Sequence, residues 1–269
     1  IVFGDWSSDV CSSDLSQKAI ESAKINQQDI DIIIATTITP DYFTPSLSCL
    51  VQKELGIKNA FCFDINAACS GFCYALDVAD GYIRAGKANN ILIVSSEALS
   101  RITDYTDRNT CVLFGDGAGA VIACAEENTG LIDSYIMSVG EMGDVLISST
   151  SDEDRYIKMN GKEVYKFAVS VNIETVNLLL ERNNLTIDDI AYIVPHQANK
   201  RIISAASTKL GCSYDKFYTN LELYGNTSSA SIPICLDEMA DRNMLKKGDK
   251  IILVGFGGGL TYGGVLIEW

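Results

Sequence analysis

An internal repeat with one constant offset is the feature that most constrains how this chain can fold. Three pairs of segments share that offset: Asp29-Ile30 with Asp189-Ile190, Asn66–Gly71 with Asn226–Ser231, and Ile91–Val94 with Ile251–Val254. Three anchors at one offset predict two similar βαβαβ halves, related by an approximate two-fold axis. The alternative is coincidence, because an Asp-Ile pair before an apolar strand is common in α/β proteins.

Strand-like and helix-like stretches alternate along the chain, which is typical of a layered α/β fold. The predicted strands are Ile30–Thr37, Ala60–Ile65, Ile91–Ser95, Ala118–Ala123, Ile190–Val194, Phe217–Thr219, Lys250–Gly255 and Gly264–Ile267. The predicted helices include Leu47–Leu55, Gly71–Ala85, Val164–Arg182 and Ala230–Arg242. We expect an N-terminal half over residues 16–150 and a C-terminal half over residues 151–269.

Charge and composition exclude several classes of function. The chain carries 21 Lys and Arg against 35 Asp and Glu, a net charge of −14, which argues against nucleic-acid binding. Its apolar runs have the length of strands, so no membrane span is expected. Nine cysteines without a CxxC pair, together with no recognisable signal peptide, indicate reduced thiols and a cytoplasmic protein. A single histidine, His196, excludes any metal site or mechanism that needs two.

Residues 1–15 differ in character from the rest of the chain. The string GDWSSDVCSSDL has low complexity and resembles translated sequencing-adapter read-through. We expect this stretch to be non-native and the ordered chain to begin with an amphipathic helix at Ser16. A divergent polar N-terminus is the alternative, and on either interpretation Cys11 is not a candidate site residue.

Cys69 is the strongest candidate for a reactive group. It follows the strand Ala60–Ile65 and stands at the start of a helix with apolar periodicity. The positive end of a helix dipole favours the thiolate, and the small neighbours Ala67, Ala68 and Gly71 permit close approach of a substrate. A buried structural cysteine in a strand-to-helix turn is the alternative.

Three further segments are expected to converge with Cys69, because each stands at a strand end or on the matching turn of the second half. Pro195-His196 follows a strand of that half, and Asn226 lies on the turn that matches the Cys69 turn. The run Gly255–Gly259 follows the strand Lys250–Val254 and exposes backbone N–H groups suited to an oxyanion hole. No Lys-Ser/Thr pair follows these glycines, so they do not form a P-loop. Taken singly, these features are also typical of an interior histidine, a helix N-cap and a tight turn.

From Ser16 to Trp269 the sequence closely resembles β-ketoacyl-acyl carrier protein synthase III. The segments that carry the resemblance are NAACSGF, DRNTCVLFGDGAGAV, KMNGKEVYKFAV, VPHQANKRII, YGNTSSASIP and GFGGGLTYGGVLIEW. The resemblance implies a thiolase-like fold, in which the two halves form one layered α-β-α-β-α domain. It also implies a condensing enzyme that initiates type II fatty-acid synthesis, since elongating synthases use Cys with two His.

The resemblance implies a role for each candidate residue. Cys69 would take the acyl group from a short acyl-CoA, with acetyl-CoA expected. His196 and Asn226 would stabilise the enolate formed when malonyl-acyl carrier protein loses CO₂, and the N–H groups of Cys69 and Gly258 would form the oxyanion hole. Residues expected to bind CoA and its pantetheine arm are Arg108, Asn109, Gly161, Tyr165, Ala198, Asn199 and Phe256. Residues expected to dock the acidic carrier protein are Lys200, Arg201 and Lys209.

The same resemblance implies a cytoplasmic homodimer that needs no metal and no cofactor, because acyl-CoA is a substrate. Three departures from the family pattern stand out. The N-terminal strand and a CoA-binding loop have no counterpart, which implies an N-terminally truncated member with weakened CoA binding. The segment Gly140–Asp154 is short, and Thr44 replaces a bulky aromatic on a loop that reaches the partner's acyl pocket.

Three other functions remain open at this stage. The chain is alternatively a synthase III-like acyltransferase of secondary metabolism that uses the same Cys69 and His196. A second alternative is an inactive acyl-CoA-binding or dimerisation module. The third, a redox thiol protein, is weak because Cys69 lacks a CxxC partner.

Overall fold

A computed structural model describes residues 8–126, 130–151 and 154–269. Its helices are α1 (Ser8–Ala23), α2 (Leu47–Leu55), α3 (Gly71–Arg84), α4 (Gly161–Arg182), α5 (Lys200–Leu210), α6 (Leu221–Tyr224) and α7 (Ser231–Asp241). Its strands are β1 (Ile32–Thr36), β2 (Phe61–Ile65), β3 (Asn90–Glu97), β4 (Gly117–Cys124), β5 (Gly130–Ser138), β6 (Leu146–Ile147), β7 (Lys158–Met159), β8 (Ile190–Pro195), β9 (Lys250–Gly257) and β10 (Thr261–Glu268). Among the helices in these ranges, none combines the length and the apolar character needed to cross a membrane.

Two four-stranded mixed sheets form the frame of the molecule. In the first, the order is β2-β1-β3-β4, with β1 parallel to β2 and β3, and β4 antiparallel to β3. In the second, the order is β5-β10-β9-β8, with β8 parallel to β9 and the other pairs antiparallel. Strand β1 is apolar at four of its five positions and fully buried, which is characteristic of a central strand covered on both faces.

Alternation along the central strands divides the core into layers. On β1, Ile32 and Ile34 pack toward α3 and α7, which lie between the sheets, whereas Ile33 and Ala35 pack toward α1 and α2 on the outside. The second sheet packs its outer face against α4 and α5. Phe72 of α3 is 1% exposed at the centre, where burial of such a side chain contributes roughly 1.5–3 kcal/mol. The result is the predicted α-β-α-β-α arrangement.

The two halves repeat at the offset that the sequence predicts. Strand β3 (Asn90–Glu97) corresponds to β9 (Lys250–Gly257) along its whole length, and the start of α3 at Gly71 corresponds to the start of α7 at Ser231. The turns before these two helices also match in backbone conformation, since Ala68 has φ 46° and its counterpart Ser228 has φ 50°. Both are left-handed values that side chains other than glycine seldom adopt, so the duplication includes the strained turns at the site.

The predicted elements differ from the structure in α1, in β5 and the short strands β6 and β7, and at Phe217–Thr219. Helix α1 begins at Ser8 rather than Ser16, and Ser12 and Leu15 are buried in it, with Ser12 Oγ donating to Ser96 Oγ at 2.9 Å. Strand β5 was not predicted. The segment Phe217–Thr219 forms only an isolated bridge to Ile193, not a strand. The non-native origin of residues 1–15 and the boundary after residue 150 stay predictions.

Candidate active site

The Cys69 turn connects β2 to α3 and directs the thiol into the interior. Cys69 is 8% exposed, and the turn is held by hydroxyl groups from both halves of the chain. Ser70 Oγ donates to the Ala67 carbonyl oxygen at 2.7 Å, and Thr261 Oγ1 of β10 donates to the same oxygen at 2.8 Å. These bonds fix the strained Ala68 and therefore the position of the thiol.

The Cys69 thiol is protonated in this environment, which corrects the expectation that the helix dipole favours a thiolate. Burial raises the pKa of Cys69 to about 12, and the negative charge of Glu97 also raises it. The Ser228 side chain and the Cys69 backbone lower it in part. Desolvation of the charged form outweighs the start of the helix here.

His196 lies at the end of β8 and is held in one orientation. Its ring is 2% exposed, and its Nδ1 atom lies 2.8 Å from Ser231 Oγ. Ser231 Oγ also accepts the Gln197 N–H at 3.3 Å, and when it donates its own proton to Nδ1, the ring proton resides on Nε2. Burial lowers the pKa of His196 to about 3, so the ring is a neutral donor at pH 7, and a hydrogen bond with the Ser228 backbone opposes this shift only partly.

Asn226 lies on the second-half turn, with its side chain 8% exposed. Its Oδ1 atom accepts the Ser228 N–H at 2.9 Å, and its backbone is fixed by paired bonds with Leu113 and Gly115. Since Oδ1 is used within the turn, the two N–H groups of the amide remain as donors toward the cavity. The sequence-based alternative of a helix N-cap is met in part, because this oxygen caps the turn that precedes α7.

The glycine run at the end of β9 packs directly on the Cys69 backbone. A methyl group placed on Gly257 would lie 2.5 Å from Cys69 N and 3.1 Å from Cys69 Cβ. One placed on Gly255 would lie 3.3 Å from the Cys69 carbonyl oxygen. The next residue, Gly258, would direct a methyl group 3.7 Å from Ala68 Cβ. Glycine is therefore required sterically at Gly257.

One cavity of about 670 Å³ reaches all three polar groups, Cys69, His196 and Asn226. Five of the residues predicted to bind the pantetheine arm also line it: Gly161, Tyr165, Ala198, Asn199 and Phe256. The Phe256 ring packs edge-on against His196, with centroids 5.4 Å apart. The cavity is apolar along its walls and polar at its inner end, as expected of a site for a long thioester arm.

Arg108 and Asn109 lie apart from the residues that line this cavity. Both are exposed on the turn that leads to Leu113 and Phe114, which do line it, and Asn109 Nδ2 donates to Asp107 Oδ1 at 2.9 Å. The structure therefore does not place this predicted pair in the cavity, and their CoA-binding role stays a prediction.

The predicted docking residues lie together on one face of α5. Lys200, Arg201 and Lys209 are exposed and line a surface groove of about 1030 Å³. Tyr165, Ala198 and Asn226 line this groove as well as the cavity, so the two are continuous. The basic groups stand at the entrance to the site.

A second and larger cavity, of about 1270 Å³, meets the first at Cys69. Gly258 lines this cavity, as do Thr44 and its neighbours Tyr42 and Phe43. Tyr42 is 55% exposed and Phe43 is 88% exposed. The thiol thus lies at the junction between a narrow arm-binding cavity and a wider pocket with exposed aromatic walls.

Two residues that organise the site are not among the sequence-based candidates. Ser231 orients His196, and the buried carboxylate of Glu97 binds Ser229 beside Cys69. Neither carries a distinctive signal in the sequence, because the repeat aligns Ser231 with Gly71 and Glu97 with Gly257, which are residues of different type.

The arrangement is suited to acyl transfer. It combines one thiol, one neutral imidazole and one amide donor in a single cavity, with glycine backbone close to the thiol. In the part of the chain that the structure describes, no group of three or more His, Cys, Asp or Glu side chains could hold a metal ion.

Comparisons with known proteins agree with this geometry. Residues 63–140 match the family model described as 3-oxoacyl-[acyl-carrier-protein (ACP)] synthase III, and residues 180–269 match the model of that family's C-terminal part. A β-ketoacyl-[acyl-carrier-protein] synthase III from Clostridium novyi (strain NT) is 52% identical over 272 residues, covering 94% of this chain and 84% of the relative. The chain belongs to the synthase III family.

Solved structures of synthase III enzymes share the fold over nearly the whole chain. The 3-oxoacyl-[acyl-carrier-protein] synthase III of Aquifex aeolicus VF5 superposes with a TM-score of 0.95 at 40% identity, covering 99% of this chain and 86% of that one. The priming β-ketosynthase of the R1128 polyketide biosynthetic pathway superposes with a TM-score of 0.93 at 33% identity, covering 100% and 83%. The thiolase-like fold of synthase III is therefore that of this chain.

Proposed function

We propose that this synthase III family member condenses a short acyl-CoA, with acetyl-CoA as the expected primer, with malonyl-acyl carrier protein. The product is 3-ketoacyl-acyl carrier protein, which initiates type II fatty-acid synthesis. The observation that carries the proposal is the meeting of Cys69, His196 and Asn226 in one cavity whose entrance adjoins a basic helix. The names of the relatives support the same reaction.

The first half-reaction transfers the acyl group to Cys69. The sulfur attacks the thioester carbonyl, the carbon–sulfur bond to CoA breaks, and the thiol proton passes to the departing CoA sulfur. The exchange consumes one thiol and releases one, so a thiol with a pKa of about 12 needs no separate proton acceptor in the overall balance. The N–H groups of Cys69 and Gly258 stabilise the tetrahedral oxyanion, and loss of one such donor typically costs ~3–4 kcal/mol.

The second half-reaction makes the new carbon–carbon bond. His196 Nε2–H and the Asn226 amide donate to the thioester oxygen of malonyl-acyl carrier protein, which favours the enolate as CO₂ departs. The carbanion attacks the acyl-Cys69 carbonyl, and the Cys69 thiolate leaves and takes up a proton. A neutral His196 fits this role, since a donor is needed and no carbon-bound proton has to be removed.

Substrate binding follows from the surfaces around the two cavities. The pantetheine arm would lie against Gly161, Tyr165, Ala198, Asn199 and Phe256, with Arg108 and Asn109 near the adenine end. The acidic carrier protein would dock on Lys200, Arg201 and Lys209, whose positive charges attract it despite the net charge of −14. No cofactor is expected, because acyl-CoA is a substrate.

Two observations support a homodimer. Strand β2 is an edge strand with Phe61 49% exposed, and such an edge is suited to pairing with a second copy. The exposed Tyr42 and Phe43 border the wider pocket, which a second copy would cover. Eight of the nine cysteines, those from Cys49 to Cys235, are free thiols, which supports a reducing, cytoplasmic location.

A role in secondary metabolism is the second candidate function, favoured by the likeness to the R1128 priming ketosynthase. It would use the same acyl-Cys69 intermediate with a different carrier protein. Comparing rates with fatty-acid and polyketide carrier proteins distinguishes the two functions.

The test of the proposed function separates the two half-reactions. We expect Cys69→Ala to lose both acyl-enzyme formation and condensation, and His196→Ala to retain slow acylation while losing condensation. Cys111→Ala and Cys235→Ala are the matched controls and should retain condensation. Acyl-enzyme is measured by intact mass, and 3-ketoacyl-acyl carrier protein by mass spectrometry. Normal condensation by Cys69→Ala would contradict the proposal.

A further inference from the structure

A buried carboxylate outside the proposed catalytic set connects the two halves beside Cys69. Glu97, at the end of β3, is 4% exposed. Its Oε1 accepts the Ser229 hydroxyl at 2.7 Å and the Ser229 N–H at 3.4 Å. Its Oε2 accepts the Ile38 N–H at 3.0 Å, and the hydroxyls of Thr39 and Thr37 at 3.3 and 3.4 Å. One side chain of β3 thus links the segment that follows β1 in the first half to the second-half turn.

The internal repeat relates the contact between Glu97 and Ser229 to the proposed active site. At the constant offset of the repeat, Ser229 is the counterpart of Cys69, and Glu97 is the counterpart of Gly257. At the proposed active site, Gly257 has no side chain, so only its backbone lies beside the Cys69 N–H. At the pseudo-symmetric position, the Glu97 carboxylate occupies that place and binds Ser229. The second site is therefore an internal anchor rather than a second reactive centre.

The anchored turn is in contact with both reactive groups. Ser228, next to Ser229, is fully buried beside these groups. Its side chain lowers the pKa of Cys69 and of Glu97, and its backbone raises the pKa of His196. A methyl group on Gly71 would lie 3.4 Å from Ser229 Cβ, so the two turns are packed against each other. Movement of the Ser228–Ser229 turn would displace Cys69 relative to His196.

We propose that Glu97 is a positioning residue of the condensing site, which fixes the Ser228–Ser229 turn beside Cys69 and His196. This inference rests on the proposed roles of Cys69 and His196. The carboxylate holds the geometry for condensation, because it binds Ser229 of the second half and Ile38 N of the first.

The groups that bind the Glu97 carboxyl are hydroxyls and backbone N–H groups. Burial raises the pKa of Glu97, and the hydrogen bonds from Ile38 and Ser229 oppose that shift. The titratable group that Glu97 influences is Cys69, whose pKa it raises in addition to the larger effect of burial.

The test uses two variants that separate charge from anchoring. Glu97→Gln removes the charge and keeps the shape, whereas Ser229→Ala keeps the charge and removes the strongest bond. The control is Asp77→Asn, which neutralises a half-buried carboxylate that accepts from Ser134 Oγ farther along α3. For each variant we would measure the pH profile of Cys69 alkylation by iodoacetamide, located by peptide mapping, and kcat and KM for condensation.

For Glu97→Gln we expect the alkylation profile to shift to lower pH by about half a unit, so that the rate at pH 8–9 rises about threefold. We expect kcat for condensation to fall about tenfold with little change in KM. Ser229→Ala should lower kcat without shifting the alkylation profile, and Asp77→Asn should change neither. If Glu97 had only a structural role, Glu97→Gln would not shift the pH profile of Cys69 alkylation toward lower pH.

An unshifted profile together with wild-type kcat in Glu97→Gln would overturn the inference. If Glu97→Gln fails to fold, Ser229→Ala decides, since wild-type kcat there would also overturn it. Failure of the proposed function is a separate outcome, recognised by condensation activity in Cys69→Ala.

Discussion

Replacement of Gly257 by alanine tests how closely the glycine backbone must approach Cys69. The added methyl group would lie 2.5 Å from Cys69 N, 3.0 Å from Ala68 Cβ and 3.1 Å from Cys69 Cβ. Contacts below 3.0 Å essentially never occur, so the first distance alone requires the two backbones to move apart. The atom displaced is the nitrogen whose N–H is proposed to stabilise the oxyanion.

We expect Gly257→Ala to lower the free energy of unfolding modestly and the rate of acylation greatly. Overpacking of this kind typically destabilises a protein by ~1–3 kcal/mol, which a chain of this size can tolerate. Misplacement of an oxyanion donor costs roughly 100-fold in rate or more. We therefore expect Gly257→Ala to fold with a lowered Tm and to form the acyl-enzyme at about 1% of the wild-type rate or less.

Gly81→Ala is the matched control for the same change of residue. Gly81 lies within α3, is exposed, and has nothing within 4 Å of an added methyl group. Alanine in an exposed helix interior should stabilise the protein by ~0.5–1 kcal/mol and leave acylation unchanged. The assay is single-turnover acylation of Cys69 by acetyl-CoA, with thermal unfolding of both variants. A folded Gly257→Ala protein that acylates at the wild-type rate would refute the argument.

Three further predictions address pH, docking and primer size. The pKa of His196 in the folded protein is about 3, below its ordinary 6.5. Between pH 3 and pH 6.5, the unfolded chain therefore binds a proton that the folded chain does not. As pH falls from 6.5 toward 3, the free energy of unfolding therefore decreases by ~1.4 kcal/mol per pH unit on account of His196. Urea unfolding at several pH values should show a smaller slope of unfolding free energy against pH in His196→Gln. Lys209→Glu should raise KM for the carrier-protein substrate several-fold at low salt but not for acyl-CoA; an equal effect at high salt would contradict charge-based docking. Thr44→Phe narrows the wider pocket, so kcat/KM should shift toward shorter acyl-CoA primers, whereas an unchanged primer ratio would remove Thr44 from the pocket's specificity.

Much of the fold could be predicted because hydrophobic pattern and repeat agree. The strands around Ile91 and Ile251 are apolar on both faces, and both are central strands in the structure. Strand β5 was missed because it lies at the edge of its sheet and is only partly buried, so its sequence lacks the pattern of a covered strand. The early start of α1 was missed because its N-terminal residues are mostly small and polar, although Leu15 is buried.

The sequence predicted which residues form the candidate site, but it did not predict the protonation state of Cys69. Strand ends and matching turns were sufficient to bring Cys69, His196 and Asn226 together. The protonation of Cys69 depends on burial by residues distant in sequence, and a local view of the helix start gives the opposite sign. Glu97 was missed for a related reason, because a single acidic residue at a strand end has no distinctive pattern until its partner Ser229 is located in space.

The most direct test of the account is the intact mass of the protein after incubation with acetyl-CoA, followed by peptide mapping. The account predicts one acetyl group, carried on Cys69, that disappears when malonyl-acyl carrier protein is added and 3-ketoacyl-acyl carrier protein forms. An unmodified Cys69, or an acetyl group on another cysteine that is consumed in the same way, would contradict the claim that Cys69 is the nucleophile of a condensing enzyme.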